Sequence, residues 1–364
     1  MKAAVLKAFG SPLVVEDIPA PVLGTGEVIV DVVAGGVLSY AREVFSGERK
    51  FLLELPVVPG PGGIGRVRAF GPDATHLTKG DWVYCDPTVR SRDDATSPDV
   101  TLQGWTAGSA GGLKLQRHFG NASWAEQIRV PTENAFRIGH PASEKDASAW
   151  LSMGTYLVPF GGLLAMNLRP GETLLISGAT GGFGGAAIAV ALAMGAGRII
   201  ATGRNADALN DLERRFGQRV RGVPMKGNED LDRASILDVA SSSGGHIDCV
   251  LDLLPPAAST VQVRTAVMTV RPGGRVVLMG GVGEQGGPGV ELSYRWLMRN
   301  GVTVRGQWMY PPAAVPRMVQ LIRSGLLSLD HYTIVEFPLD QANAAIEHAA
   351  THAGPFQRTV IRPG

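Results

Sequence analysis

Residues Ile176 to Gly185 read ISGATGGFGG, five glycines in ten positions and no charge. A stretch like this gives up side-chain volume so that the backbone can come close to something. Its flanks narrow the choice. Thr173 to Ser177 (TLLIS) is a short apolar run bounded by a turn signal, which predicts a buried strand. Phe183 to Met194 is a run of small and apolar residues, which predicts a helix.

Strand, glycine turn and helix form the context that a dinucleotide fingerprint requires, here Ala179-x-Gly181-x-x-Gly184. Gly181 lets the backbone approach a pyrophosphate, and Gly184 lets the helix pack close to the strand. The N–H groups of the helix start, among Thr180, Gly182 and Phe183, face the negative charge. The next predicted strand ends in RIIATGRN. About 20 residues past the fingerprint, an NAD site places Asp or Glu on the ribose 2′-hydroxyl. This chain has Gly203 there, followed by Arg204 and Asn205. A carboxylate would repel a 2′-phosphate, whereas a glycine leaves room and a guanidinium can grip it. The expectation is NADP.

Outward from this point the grammar is regular. Arg198–Thr202, Ile247–Asp252 and Arg275–Met279 are further buried-strand candidates, with a helical stretch at Ala206–Phe216. Alternation of strand and helix predicts a doubly wound parallel sheet, class α/β. A helix at Val315–Gly325 and a last strand near Arg358–Ile361 follow. The first part of the chain differs. Met1–Ala8, Gly26–Val33, a region at Pro56–Phe70 and Asp81–Cys85 read as short strands among Pro and Gly turns, which predicts a small β-barrel or sandwich. Asp86 to Gly120 has little periodicity and reads as a long loop or excursion.

Composition excludes several classes. With 45% hydrophobic and 18% charged residues over 364 positions, the chain has ample core for about two domains. The net charge of +1 makes no electrostatic case for nucleic acid or an acidic membrane as partner. No apolar run suits a signal peptide or a membrane span, so a cytoplasmic location is expected. Cys85 and Cys249 are the only cysteines, too few for a disulfide framework or a multi-cysteine zinc site, and both read as buried small residues.

GEVIVDVVAGGV, LPVVPGPGGIGRV, KGDWVY, WAEQIRVP, RPGETLLISGATGGFG and GGRVVLMGG, in this order over nearly the whole chain, resemble the medium-chain dehydrogenase/reductase superfamily. The resemblance implies a GroES-like (chaperonin-10-like) β-barrel domain at 1–145, an inserted Rossmann domain at 146–310, and a return of the chain at 311–364. It also implies an active site in the interdomain cleft and a homodimer formed near Val302–Met309. Zinc members of the family hold a catalytic metal at positions that align with Leu38, Pro61, Gly62 and the neighbourhood of Met153. None of these can hold zinc well, so the expectation is an enzyme without metal.

Without a metal, the oxygen that gains charge needs another donor. The zinc-free members that this chain resembles reduce quinones, enones and other activated double bonds. The expected function is therefore zinc-independent hydride transfer from NADPH to a small conjugated carbonyl. A metal-free alcohol or aldehyde dehydrogenase is the alternative, and a non-catalytic NADPH-binding sensor a second one. Tyr40 aligns with the proton-relaying hydroxyl of zinc members and is the candidate catalytic group; Ser39 and Glu43 are weaker ones. Arg358 matches the family arginine that reaches the cofactor pyrophosphate. Leu253 and Gly280, at predicted strand ends, are placed for backbone contacts to the cofactor. Tyr84, Trp105 and Tyr156 could line the substrate space or belong to the core.

Overall fold

A computed structural model describes residues 1–141, 143–242 and 245–364. The chain divides into two compact units. One comprises Met1–Gly154, Leu329–Ala353 and Gln357–Gly364; the other comprises Thr155–Ser328 and Gly354–Phe356. The main return to the first unit begins at Leu329.

The second unit is a six-stranded parallel sheet. In spatial order its strands are Val220–Pro224, Arg198–Gly203, Thr173–Ser177, Ile247–Asp252, Val270–Leu278 and Thr303–Gly306. Chain order runs outward in one direction from Thr173–Ser177 and then in the other, so the order reverses between Thr173–Ser177 and Ile247–Asp252. The inner strands bury both faces, which is why they read as unbroken apolar runs. Leu175, Ile200, Val250, Val263 and Val276 form the centre of one face's core. The helix Gly182–Ala193 is apolar all round and is buried from Gly184 to Ala191. The Val220–Pro224 strand was not anticipated. Two of its five residues are exposed, so its apolar signal is weak.

The first unit is built on a seven-stranded sheet. Its path runs Ala135–Arg137, Trp82–Cys85, Gly63–Phe70, Glu27–Val37, Gln357–Arg362 and Thr333–Pro338, with Gln127–Pro131 also paired to Glu27–Val37. Val28, Val30, Val67, Val83 and Ile128 meet in its core. The Asp86–Gly120 excursion is not a plain loop. It carries a three-stranded sheet, Thr88–Arg90, Val100–Leu102 and Thr106–Ala107, and a helix, Ala110–His118. Ser109 caps that helix by accepting a hydrogen bond from the Gly112 N–H at 3.0 Å.

No helix among the described residues is long and apolar enough to cross a membrane.

Candidate functional site

In the second unit the glycine turn links the end of the Thr173–Ser177 strand to the helix Gly182–Ala193. Gly178 has φ +84°, a conformation that glycine adopts without strain. The Gly184 position shows why the motif needs glycine. A Cβ there would stand 2.1 Å from the Gly178 carbonyl oxygen and 2.6 Å from Ala179 Cα. Helix and turn are in backbone contact. At Gly181, by contrast, a Cβ would meet only the Gly178 oxygen, at 3.5 Å, so this position faces open space. Thr180, Gly182 and Phe183 stand half-buried beside it, where the first-turn N–H groups have no partner inside the helix.

Gly203 ends its strand buried, while Arg204 and Asn205 are exposed. Packing gives Gly203 a second reason. A Cβ there would lie 2.5 Å from Thr180 Cγ2, so a side chain would force Thr180 to move. Asn205 caps the following helix, its Oδ1 accepting from the Ala208 N–H at 3.0 Å. Leu253 donates its N–H to the Ser177 carbonyl at 3.0 Å. Gly280 follows the end of the Val270–Leu278 strand, where a Cβ would come within 2.6 Å of Asp252 Oδ2. Asp252 did not stand among the sequence candidates. Only its place at the end of an apolar strand signals it.

In the first unit, polar groups gather around Arg358. This residue lies on the strand Gln357–Arg362 and is 6% exposed. Its guanidinium presses on Gly36, where a Cβ would fall 2.1 Å from the nearer terminal nitrogen. Burial pushes its pKa down, and the rings of Tyr332, Tyr84 and Tyr40 lie near enough to counter that in part. Tyr40 precedes the short helix Ala41–Phe45 and is half-buried. The Arg49 guanidinium sits 4.1 Å from its ring centroid, and Trp105 meets it edge-on at 5.6 Å. Glu43 is held by the Arg49 Nε–H, which donates to it at 2.8 Å, while Ser39 is exposed.

The turn Pro59–Gly63 is tied down by Ser123, whose hydroxyl donates to the carbonyls of Gly60 and Gly62 at 3.1 and 2.8 Å. A Cβ at Gly62 would stand 3.2 Å from the Tyr84 hydroxyl oxygen, and one at Gly154 would stand 3.0 Å from the same atom. The structure therefore brings Gly62, Gly154 and Tyr84 together, and the phenol fills the room that the two glycines leave. Leu38 is half-buried and Met153 is fully buried. Among the described residues, no group of three or more His, Cys, Asp and Glu could hold a metal. Tyr84 and Trp105 are each 1% exposed, and Tyr156 is a core residue of the second unit whose hydroxyl donates to the Ser328 carbonyl at 2.9 Å.

The family "Alcohol dehydrogenase GroES-like domain" matches residues 24–140, and the family "Zinc-binding dehydrogenase" matches residues 182–324. The chain belongs to the medium-chain dehydrogenase/reductase superfamily. Within this superfamily it is an alcohol-dehydrogenase-like oxidoreductase. An alcohol dehydrogenase of Geobacillus stearothermophilus is 26% identical over 94% of both chains. A sorbitol dehydrogenase of Bacillus subtilis is 22% identical over 100% of this chain and 97% of its own. A structure from Sinorhizobium meliloti 1021, described as a zinc-binding dehydrogenase bound to NADP, superposes with TM-score 0.79 at 20% identity. It covers 100% of this chain and 99% of that one, and at this identity the likeness is one of fold. GroES-like unit and Rossmann sheet thus follow the superfamily plan.

Proposed function

We propose that this protein transfers hydride from NADPH to a conjugated carbonyl, a quinone or an enone, without a metal ion. The observation that carries the reading is the Tyr84 hydroxyl standing between Gly62 and Gly154. The positions where zinc members hold the metal align with Leu38, Pro61, Gly62 and the neighbourhood of Met153, and the Tyr84 phenol takes up space beside Gly62. Those residues do not fit zinc. A conjugated acceptor asks least of the missing Lewis acid, because it spreads the charge that hydride transfer creates over its own π-system.

The cofactor supplies the hydride when bound. The second unit has the features to hold it: the close Gly184 contact, the open N-terminus of the helix Gly182–Ala193, and the strand ends at Leu253 and Gly280. Arg204 is exposed beside a Gly203 that cannot carry a carboxylate, and this supports a grip on the 2′-phosphate. Arg358 is the cation proposed for the pyrophosphate. Tyr40 is the proposed proton donor to the substrate oxygen, with Arg49 over its ring favouring charge build-up on the phenol. The exposed Tyr294, Met298 and Trp308, near the edge strand Thr303–Gly306, support a homodimer through that edge.

A second reading rests on the relatives' names: an alcohol or aldehyde dehydrogenase that works without metal, using the same phenols. The experiment is NADPH oxidation by chelator-treated protein against quinones, enones, aldehydes and ketones, with NADH in parallel and metal content measured by mass spectrometry. Turnover of quinones or enones supports the first reading, and turnover of aldehydes or ketones alone supports the second. Stoichiometric zinc required for activity would overturn both. Arg204→Ala is expected to lower the preference for NADPH over NADH by about tenfold or more, the worth of a charge-assisted hydrogen bond.

A further inference from the structure

The strand order of the parallel sheet reverses between Thr173–Ser177 and Ile247–Asp252. Open sheets of this kind bind ligands outside the strand ends at such a point. Ser177 and Asp252 are the last residues of these two strands and pair in register. A carboxyl group therefore lies at the reversal point, 2% exposed. The Ser177 hydroxyl and the Leu254 N–H lie close enough to favour its charged form in part, and its Oδ1 has no hydrogen-bond partner. Gly280 leaves the space that the other oxygen uses.

The elements packed around the carboxyl bring no balancing charge among the described residues. The Thr173–Ser177 strand contributes neutral Ser177. The segment after Asp252 contributes Leu253, Leu254 and Pro256, and the end of the next strand contributes Met279, Gly280 and Gly281. Glu284, whose Oε2 would stand 3.0 Å from a Cβ at Gly281, is itself acidic. Arg204, after the end of the neighbouring strand Arg198–Gly203, is exposed to solvent. Burial pushes the Asp252 carboxyl up to about 7, with the polar groups of Ser177 and Leu254 opposing.

We propose that Asp252 couples dinucleotide binding to proton uptake: the protein takes the pyrophosphate with this carboxyl in its neutral form. The inference rests on the cofactor reading given above. A pyrophosphate at the start of the helix Gly182–Ala193 brings two negative charges to the same end of the sheet. An ionised Asp252 beneath them, in surroundings poor in water, would repel them. The bound anion therefore holds the proton on Asp252 to higher pH than the free protein does. The sign follows from linkage: between the free and the bound titration points, binding takes up a proton and affinity falls as pH rises. The slope approaches tenfold in Kd per pH unit, the limit for one proton.

The test is calorimetric titration of the intact protein with NADPH from pH 6 to pH 9, in buffers of different ionisation enthalpy. NADPH is the probe because its reduced ring carries no positive charge. NADH, run in parallel, separates the 2′-phosphate's own titration. Wild-type protein is expected to take up a fraction of a proton that approaches one above neutral pH, with Kd weakening accordingly. Asp252→Asn keeps the shape, removes the charge and is expected to bind with a flat profile for NADH. Proton release by the wild type, or the same slope in both proteins, would overturn the proposal while leaving the cofactor reading intact. Failure of the wild type to bind either dinucleotide at any pH would overturn the cofactor reading and the proposal with it. The wild-type titration stands alone if the variant does not fold.

Discussion

The two ends of the parallel sheet follow opposite rules. At the end where strands enter, charges are paired. Arg275 donates to Glu172 at 2.5 Å, and Arg271 Nε donates to Asp248 at 2.7 Å. Asp248 also accepts from the Thr173 N–H at 2.8 Å. At the end where strands leave, Asp252 is buried without a cation, and glycines at 178, 184, 203 and 280 bring backbone against backbone or side chain. Paired charge holds the strands together and asks for no ligand. A buried carboxyl without a cation and backbone in close contact cost stability at the exit end. One sheet thus keeps its paired charges and its unpaired carboxyl a strand's length apart.

Three substitutions test that contrast, and the largest effect is expected at the exit end. Gly184→Val would drive a side chain into the Gly178 carbonyl, which is backbone and cannot yield. The expected result is loss of dinucleotide binding with destabilisation of about 3 kcal/mol or more, read by calorimetric binding and urea unfolding. A wild-type melting curve would break the claim that turn and helix are in contact.

Asp252→Asn should act in the opposite direction and by a comparable amount, without loss of dinucleotide binding. The native carboxyl titrates near 7 and the unfolded one near 3.8. Below the lower value both states are protonated and burial carries no ionic penalty. Between the two, the unfolded state ionises while the native state keeps its proton, so wild-type stability falls as pH rises. Above the higher value the penalty is complete, up to about 4 kcal/mol. The variant's advantage in unfolding free energy should therefore grow between those limits and then level off. An advantage independent of pH would sink the argument.

Arg275→Met should have the smallest effect, about 2 kcal/mol lost, because it strands Glu172 in a site that is only partly dry. Its dinucleotide affinity should stay that of the wild type. A matching fall in affinity would mean that the two ends of the sheet are coupled.

Much of the second unit was legible because its signals are local. Thr173–Ser177, Ile247–Asp252 and Ala206–Phe216 match the structure residue for residue. Each depends on an apolar run or helical period within its own span. The Asp86–Gly120 segment was illegible for the converse reason. Strands of two or three residues have no period, and Gly111 and Gly112 weaken the helix Ala110–His118. Contacts from elsewhere decide it: Ala107 donates its N–H to the Leu52 carbonyl at 2.7 Å, and Gln103 reaches the carbonyls of Asn121 and Arg129 at 2.8 and 2.9 Å.

The candidate site divides along the same line. The glycine turn, Arg204 and Tyr40 could be named from the chain, because motif and spacing belong to neighbouring residues. Gly203 could be read only as space for a phosphate, since its contact with Thr180 spans two strands. The sequence by itself determined the α/β class and the glycine fingerprint, and the resemblance it carries sets Leu38, Pro61, Gly62 and the neighbourhood of Met153 at the family's metal positions. These are matters of residue type and local order. Tertiary structure alone decided that the Tyr84 hydroxyl meets both Gly62 and Gly154, and that Asp252 is buried opposite Ser177. Burial and proximity between distant residues are properties of packing, and packing sets the energy of a phenol or a carboxyl.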